Sequence, residues 1–445
     1  MKKENNFLKT VCNIAIPVAL QCMLQSSFSM IDQIMIGQLG SVSIASIGLA
    51  GKFSSIYSVM VSAIAVVAGI MIAQYMGKQE KDEVDKSLSV NMAAAVLLAL
   101  IFTVLCLFFP QIIMGIYTEE IQICNVAASY LKIVAFTFLP MAGATLFSTM
   151  LRCMEKASLP LYASMIAALI NTVLNYVLIF GKFGFNAMGV EGAAIATVIA
   201  QIANFLFMLA AFIISYKKKD MTFRFSLNLG NEGYKQYFMI LMPILITEFL
   251  WSLGENVYAS IYGHMGTQDC AAMTLTNPIQ GLMIGALSGL SQAAGILIGK
   301  SLGKKEYDEA YKNSKKLVLY GLCGAIILSV LLVILRNFYV DIYEVEDSVK
   351  ITAGNILIAF AIISPVKVLN MILGGGIIRS GGKTKLIMWI DLIGTWIFGV
   401  PLGLLAAFVW GLSIPYAYFV LSLEEVVRLL ISIVVFRRKA WMHSL

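Results

Sequence analysis

Twelve apolar stretches, each about as long as a bilayer is thick, decide what this chain can become. They lie at about 12–35, 48–75, 88–110, 126–150, 161–181, 190–216, 237–263, 271–299, 315–335, 351–377, 385–408 and 412–436. A helix needs roughly 20 apolar residues to cross the hydrocarbon core. Stretches of that length satisfy their backbone groups in lipid only as helices. Charged residues make up 13% of the chain and hydrophobic ones 59%, whereas soluble domains carry about 25% charged residues. The sequence therefore predicts an all-α polytopic membrane protein of twelve transmembrane helices.

The net charge of +7 does not point to nucleic acid, because the basic residues are sorted by loop. Loops on the side of the N-terminus hold clusters such as Lys78, Lys81 and Lys86; Lys217, Lys218 and Lys219; and Lys300, Lys304 and Lys305, whereas the opposite loops hold little beyond Lys182, Arg336 and Lys350. Such a bias places both termini in the cytoplasm, in a multi-pass protein of the cell (plasma, inner) membrane. The segment MKKENNFLK leads into a span with no small-residue cleavage site, so no cleaved signal is expected. The seven cysteines show no CxxC and no metal-ligand spacing, and most sit in apolar runs as small hydrophobes.

The chain repeats itself. Pro17, Gly37, Gly40, Leu49, Gly69, Gly77 and Tyr117 are matched by Pro243, Gly263, Gly266, Leu275, Gly295, Gly303 and Tyr343 at an offset of 226. Arg152 and Lys156 are matched by Arg379 and Lys383 at 227. Six helices per repeat return the chain to the side it started from, so the two repeats are parallel. The expected organisation is a six-helix lobe over 1–216, a polar cytoplasmic linker over 217–236 and a second six-helix lobe over 237–445.

Within the first span, Gln21, Gln25, Ser29 and Asp32 fall at spacings of four, four and three, one stripe of a helix. A carboxylate at mid-helix costs about 2.5–3.5 kcal/mol on insertion scales, so it faces protein or water and is a functional candidate by default. Burial favours its neutral form, while neighbouring amides or a bound cation favour the charged one. Asn171 and Asn175 are one turn apart on the fifth helix, so their amides share a face. They could complete an oxygen cage for Na⁺ or hold a water; the structural alternative is interhelical hydrogen bonding.

The second half places its charges elsewhere. Glu248, Ser252 and Glu255 form a stripe on the seventh helix, with Lys367 and Asn370 on the tenth and Asp391 on the eleventh. One or both glutamates are candidates to touch substrate; an internal ion pair of Lys367 with Glu248 or Glu255 is the structural alternative. Asp391 is expected to hold the lobe together. Glu424 and Arg428 are four apart on the last helix and predict a local pair. Lys367, Asp391, Glu424 and Arg428 thus stand as structural charges within the membrane.

Several motifs together resemble the multidrug and toxic compound extrusion (MATE) family. They are Pro17 followed by DQIMIGQLG ending at Gly40, MLRCMEKASLP at 150–160, INTVLNYVLIFG at 170–181 and GVEGAAIAT at 189–197. In the second half they are SQAAGILIGKSLGK at 291–304, GGGIIRSGGKTK at 374–385 and DLIGTWIFGVPLG at 391–403. The resemblance spans essentially the whole chain. It implies a V-shaped pair of lobes that exports organic, mostly cationic amphipathic drugs or toxins against an inward flow of H⁺ or Na⁺. Asp32 matches the family's first-helix ion-binding aspartate, and Asn171 and Thr197 the asparagine and threonine beside it. Gln25, and with it Gln21, would lie near substrate. The position matching Asn175 is a second aspartate in the DinF-like branch, and the second-lobe acids depart from the NorM-like spacing. The chain accordingly sits between the branches. Ion coupling is assigned to Asp32, Asn171, Asn175 and Thr197, with Na⁺ held at Asp32, Asn171 and Thr197 if that is the ion. Substrate contacts are assigned to Gln25, Gln21, Glu248, Glu255 and Asn370.

Other classes fit less well. A lipid-linked oligosaccharide flippase of the same superfamily would need a cationic cavity, whereas the charges here are mainly acidic. The only histidines are His264 and His443, with no nucleophile–base set, so an enzyme is not expected. No P-loop is present for ATP. No cofactor is expected beyond the coupling ion; the partners are the bilayer and small organic cations, and the protein is expected to be a monomer.

Overall fold

The computed structural model describes residues 2–218, 222–343 and 345–445; Lys219, within the expected linker, lies outside them. Among the described residues there are helices and no strand. Twelve long passes follow one another. They are α1 (Lys2–Gly37), α2 (Ser41–Lys78), α3 (Lys81–Phe108), α4 (Ile121–Cys153), α5 (Ser158–Phe180) and α6 (Gly189–Lys217). Then come α7 (Gly230–Met265), α8 (Thr267–Gly303), α9 (Tyr307–Asp341), α10 (Asp347–Ile378), α11 (Thr384–Val409) and α12 (414–437). Eleven are long and apolar enough to cross a membrane. The twelfth is broken at Leu423 and carries Glu424, Glu425 and Arg428 just after the break.

The helices outrun the apolar stretches that announce them, α2 and α8 reaching 38 and 37 residues. Hydropathy marks only the part that meets lipid, whereas hydrogen bonding carries a helix on into its polar ends. Thus α3 starts with Asp82 and Glu83 and α9 with Asp308 and Glu309 in their first turns, where acids complement the helix dipole.

The helices group into two compact units. One comprises residues 23–72 and 81–230, the other residues 1–22, 73–80 and 231–445. α1 and α2 therefore each contribute to both.

In the first of these units, α5 and α6 pack closely because Gly192 leaves no room for more: a Cβ there would lie 2.8 Å from the Leu178 carbonyl. Gly181, in the left-handed region at φ 64°, ends α5. α4 tightens to a 3₁₀ turn over Ala135–Thr137. Side chains take up carbonyls there, Thr103 at Ala135 (3.2 Å) and Tyr57 at Phe138 (2.6 Å). After α6 the polar segment is docked, not loose. Asp85, buried, accepts from the Tyr216 hydroxyl (2.8 Å) and the Arg224 amide (3.1 Å), and the Ser226 amide donates to Ser89.

In the other unit, α10 and α11 contain three π-helical stretches, Met371–Ile378, Leu392–Gly399 and Leu405–Val409. The glycine run at 374–376 lets α10 lie against α8: a Cβ on Gly376 would be 2.6 Å from the Ser291 carbonyl. Ser291 in turn donates to the Met371 carbonyl (2.7 Å), taking up a backbone group in the widened turn. The repeat is visible in the packing. Gly77 lies against the Lys300 carbonyl, and Gly303 against that of Gln74; each partner is the other's equivalent at the 226-residue offset. The C-terminal segment folds back here, with Trp441 fully buried and the Leu445 amide donating to Gln74 Oε1 (2.7 Å).

Candidate functional site

Asp32 is half-buried on α1, and α5 and α6 bring three polar side chains to it or beside it. Asn175 Nδ2 donates to Asp32 Oδ1 at 2.9 Å and lies 3.1 Å from Asn171 Oδ1. Thr197 is linked through Asn171, whose Nδ2 is 3.4 Å from its hydroxyl; that hydroxyl also donates to the Ala193 carbonyl at 2.9 Å. All four residues belong to one unit. Tyr130 packs over the same region with Met35 and Ile179, a neighbour that the polar-stripe reading of α1 did not mark.

The Asn171 amide lies within hydrogen-bond reach of both Asp32 oxygens, and which of its atoms faces them matters chemically. With Nδ2 turned to Asp32 it stands 2.9 and 3.0 Å from the two carboxylate oxygens and can donate to them. With Oδ1 turned there, oxygen faces oxygen at those distances, which requires a proton or a cation between them. Asn175 Oδ1 is buried and has no hydrogen-bond partner. A carboxylate, amide carbonyls and a hydroxyl form an all-oxygen donor set, the kind that suits a hard cation or a proton. Along the same helix, Gln25 is exposed and Gln21 is buried; Gln21 groups with the other unit.

The remaining charges gather in the unit containing α7–α12, with partners that differ from the expected ones. Glu248 meets Arg379 at 3.4 Å and not Lys367. Arg428 pairs with Asp391 of α11 and with Glu425 at 3.5 Å, and not with Glu424. The reason is the break at Leu423, after which Glu424 turns to α7 and accepts from the Tyr258 hydroxyl at 2.6 Å. Asp391 thus ties α11 to α12. Asn370 donates to Glu425, at 2.7 Å to its carbonyl and 2.8 Å to Oε2, while its own Oδ1 is buried without a partner.

Two adjoining cavities of about 200 and 290 Å³ share Glu255, Lys367, Glu424 and Glu425 in their walls. Tyr258, Tyr262 and Tyr418 line the smaller, and Trp251, Asn370 and Asp391 the larger. Tyr258 is the residue that sequence reasoning undervalued. It occupies the position equivalent to Asp32 in the second repeat, and that equivalence was the available signal: in both repeats the position points to a polar interior.

Comparison with known proteins agrees with this architecture. The MatE family model matches residues 17–177 and 243–405, one match in each repeat. A Bacillus subtilis protein described as the uncharacterized transporter YisQ is 22% identical over 447 residues, covering 100% of this chain and 97% of that protein. An Agrobacterium fabrum protein named "Probable multidrug resistance protein NorM" is 24% identical, covering 92% of this chain and 88% of its own. Among solved structures, a crystal structure of a mutant of the Vibrio cholerae MATE transporter VcmN superposes with a TM-score of 0.89 at 16% identity, over 99% of this chain and 98% of that one.

Proposed function

The chain belongs to the MatE family of membrane transporters, and from that premise we propose that it is an ion-coupled antiporter exporting organic, mostly cationic amphipathic compounds by alternating access. The names of its NorM relatives support drug export. The observation that carries the coupling is the Asp32 carboxylate, held inside one unit by the Asn175 amide at 2.9 Å with the Asn171 amide beside it.

In this reading the charged acid is stabilised by two amide N–H donors. Uptake of H⁺ or Na⁺ replaces one donor with the Asn171 carbonyl, and the unpartnered Asn175 carbonyl and Thr197 hydroxyl complete the surroundings. Loading the ion removes the net charge of the site, which changes the cost of exposing it to a low-dielectric environment. Gln25 contacts substrate in the unit of Asp32; in the other unit Gln21 contacts it, and Glu248, Glu255 and Asn370 attract its cationic end. The protein acts as a monomer in the plasma membrane with both termini in the cytoplasm.

Transport of an organic cation in proteoliposomes under separately imposed pH and Na⁺ gradients tests this. The wild type is expected to respond to one of the two, and Asp32→Asn to lose gradient-driven export while inserting normally. Unchanged export by Asp32→Asn would refute the coupling role.

A further inference from the structure

Residues 222–229, TFRFSLNL, follow α6 and alternate polar and apolar without a break. That is the two-residue period of an extended amphipathic chain, with Phe223, Phe225, Leu227 and Leu229 on one side and Thr222, Arg224, Ser226 and Asn228 on the other. Among the described residues no strand pairs with this segment, and α3 holds it instead. Lys81 Nζ donates to the Thr222 carbonyl (2.8 Å), Asp85 accepts from the Arg224 amide (3.1 Å) and Ser89 from the Ser226 amide (3.2 Å). The holding residues are four apart on the helix, and the held ones two apart on the segment. Four helical residues rise about 6 Å and two extended residues about 6.6 Å, so the two run in step.

The direction of that match sets a depth. The segment ascends α3 from Lys81, in its first turn, to Ser89, where the apolar stretch at about 88–110 begins. Ser226 and Leu227 therefore lie where headgroups give way to hydrocarbon. Phe223 is anchored, edge-on to Phe212 at 5.6 Å and to Tyr216 at 6.1 Å. Phe225 is 62% exposed and Leu227 44%. Facing water is unfavourable for such side chains, whereas lipid at that level would cover them. Charge fits the same place. Lys217, Lys218 and Arg224 are exposed, and Arg224 is docked by its amide, which leaves the guanidinium outside. Of the nearby acids, Glu83 is paired with Lys86 at 2.7 Å and Asp85 is occupied by Tyr216 and the Arg224 amide, while Asp82 stays exposed.

We propose that residues 222–229 form an interfacial strap that lies on anionic phospholipid, with Phe225 and Leu227 entering the top of the acyl chains and Lys217, Lys218 and Arg224 meeting phosphates. Apolar area and basic charge act together in binding of this kind. The strap is independent of what the protein transports and of which ion drives it.

The test uses the full-length protein, with its native cysteines replaced, in nanodiscs of mixed phosphatidylcholine and phosphatidylglycerol. A bimane is attached at Phe225→Cys or, on the polar side, at Asn228→Cys; both side chains are exposed, so neither change disturbs packing. Bromine near the top of the acyl chain is carried by one lipid or the other, and iodide quenches from water. Bimane at 225 is expected to be quenched by brominated lipid and sheltered from iodide relative to bimane at 228. Bromine on phosphatidylglycerol is expected to quench it more than the same amount on phosphatidylcholine. Arg224→Gln is expected to reduce that preference by up to about fivefold, the effect of one basic residue near a charged surface, and Lys217→Gln with Lys218→Gln to remove the rest. Iodide quenching at 225 equal to that at 228 overturns the strap's place in the bilayer. Equal quenching by the two brominated lipids, or a preference that survives loss of all three basic residues, overturns its choice of anionic lipid.

Discussion

At the scale of the residue, the site on α1 is a balance between one carboxylate and two amides that can each present nitrogen or oxygen. Asn175 Nδ2 holds Asp32 at 2.9 Å, and the same side chain keeps an unpartnered carbonyl in the interior. Replacing it with an apolar residue of similar size removes both. Asn175→Leu is therefore expected to lower the initial rate of gradient-driven export by about tenfold or more, the order of one hydrogen bond to a charged group. Parallel rates in proteoliposomes measure this, and an unchanged rate would reduce Asn175 to a packing residue. The cluster was legible beforehand because its members share helix faces and lie in motifs. The partners of Glu248 and Arg428 were not. Which of several cations an acid meets depends on neighbouring helices and on local breaks such as that at Leu423, and spacing along one helix says nothing of either.

At the scale of the element, the geometry of the Asp32 site depends on how closely α5 and α6 approach. Gly192 sets that approach, since a Cβ would lie 2.8 Å from the carbonyl of Leu178. Backbone cannot yield as a flexible side chain can, so Gly192→Val is expected to push the helices apart. A loss of about 1–3 kcal/mol is the usual cost of such overpacking. Thermal melting in detergent should show the destabilisation, and export should fall as Thr197 withdraws from Asn171; a melt identical to the wild type would mean that the contact relaxes freely. The polar segment after α6 teaches a related lesson. Its composition reads as a polar linker, and buried Asp85 gathers Tyr216 and the Arg224 amide and fixes it against α3. Composition reports what a segment avoids, and the partner that captures it lies more than a hundred residues away.

At the scale of the whole molecule, a twelve-pass arrangement with charge-sorted loops makes a statement about sidedness that can be checked directly. Gln79, between α2 and α3, and Phe183, between α5 and α6, are both exposed, and the charge bias of the loops assigns them to opposite sides of the membrane. With the native cysteines replaced, a cysteine at position 183 is expected to react with an impermeant maleimide on intact cells, and one at 79 only after permeabilisation. The reverse pattern would invert the orientation. What the sequence determined by itself is the class of fold, the number of passes and the duplication, because the bilayer imposes a length and a polarity on every span and leaves few solutions. Gly77 and Gly303, equivalent by offset, even meet each other's neighbouring carbonyls, at Lys300 and Gln74. It also marked Asp32, since an acid amid apolar residues stands out wherever it points. Only the tertiary structure decided how the charges of α7–α12 divide among their partners. A hydrogen bond or ion pair is a matter of ångströms between helices distant in sequence, and the lipid that shapes every span exerts no preference among them.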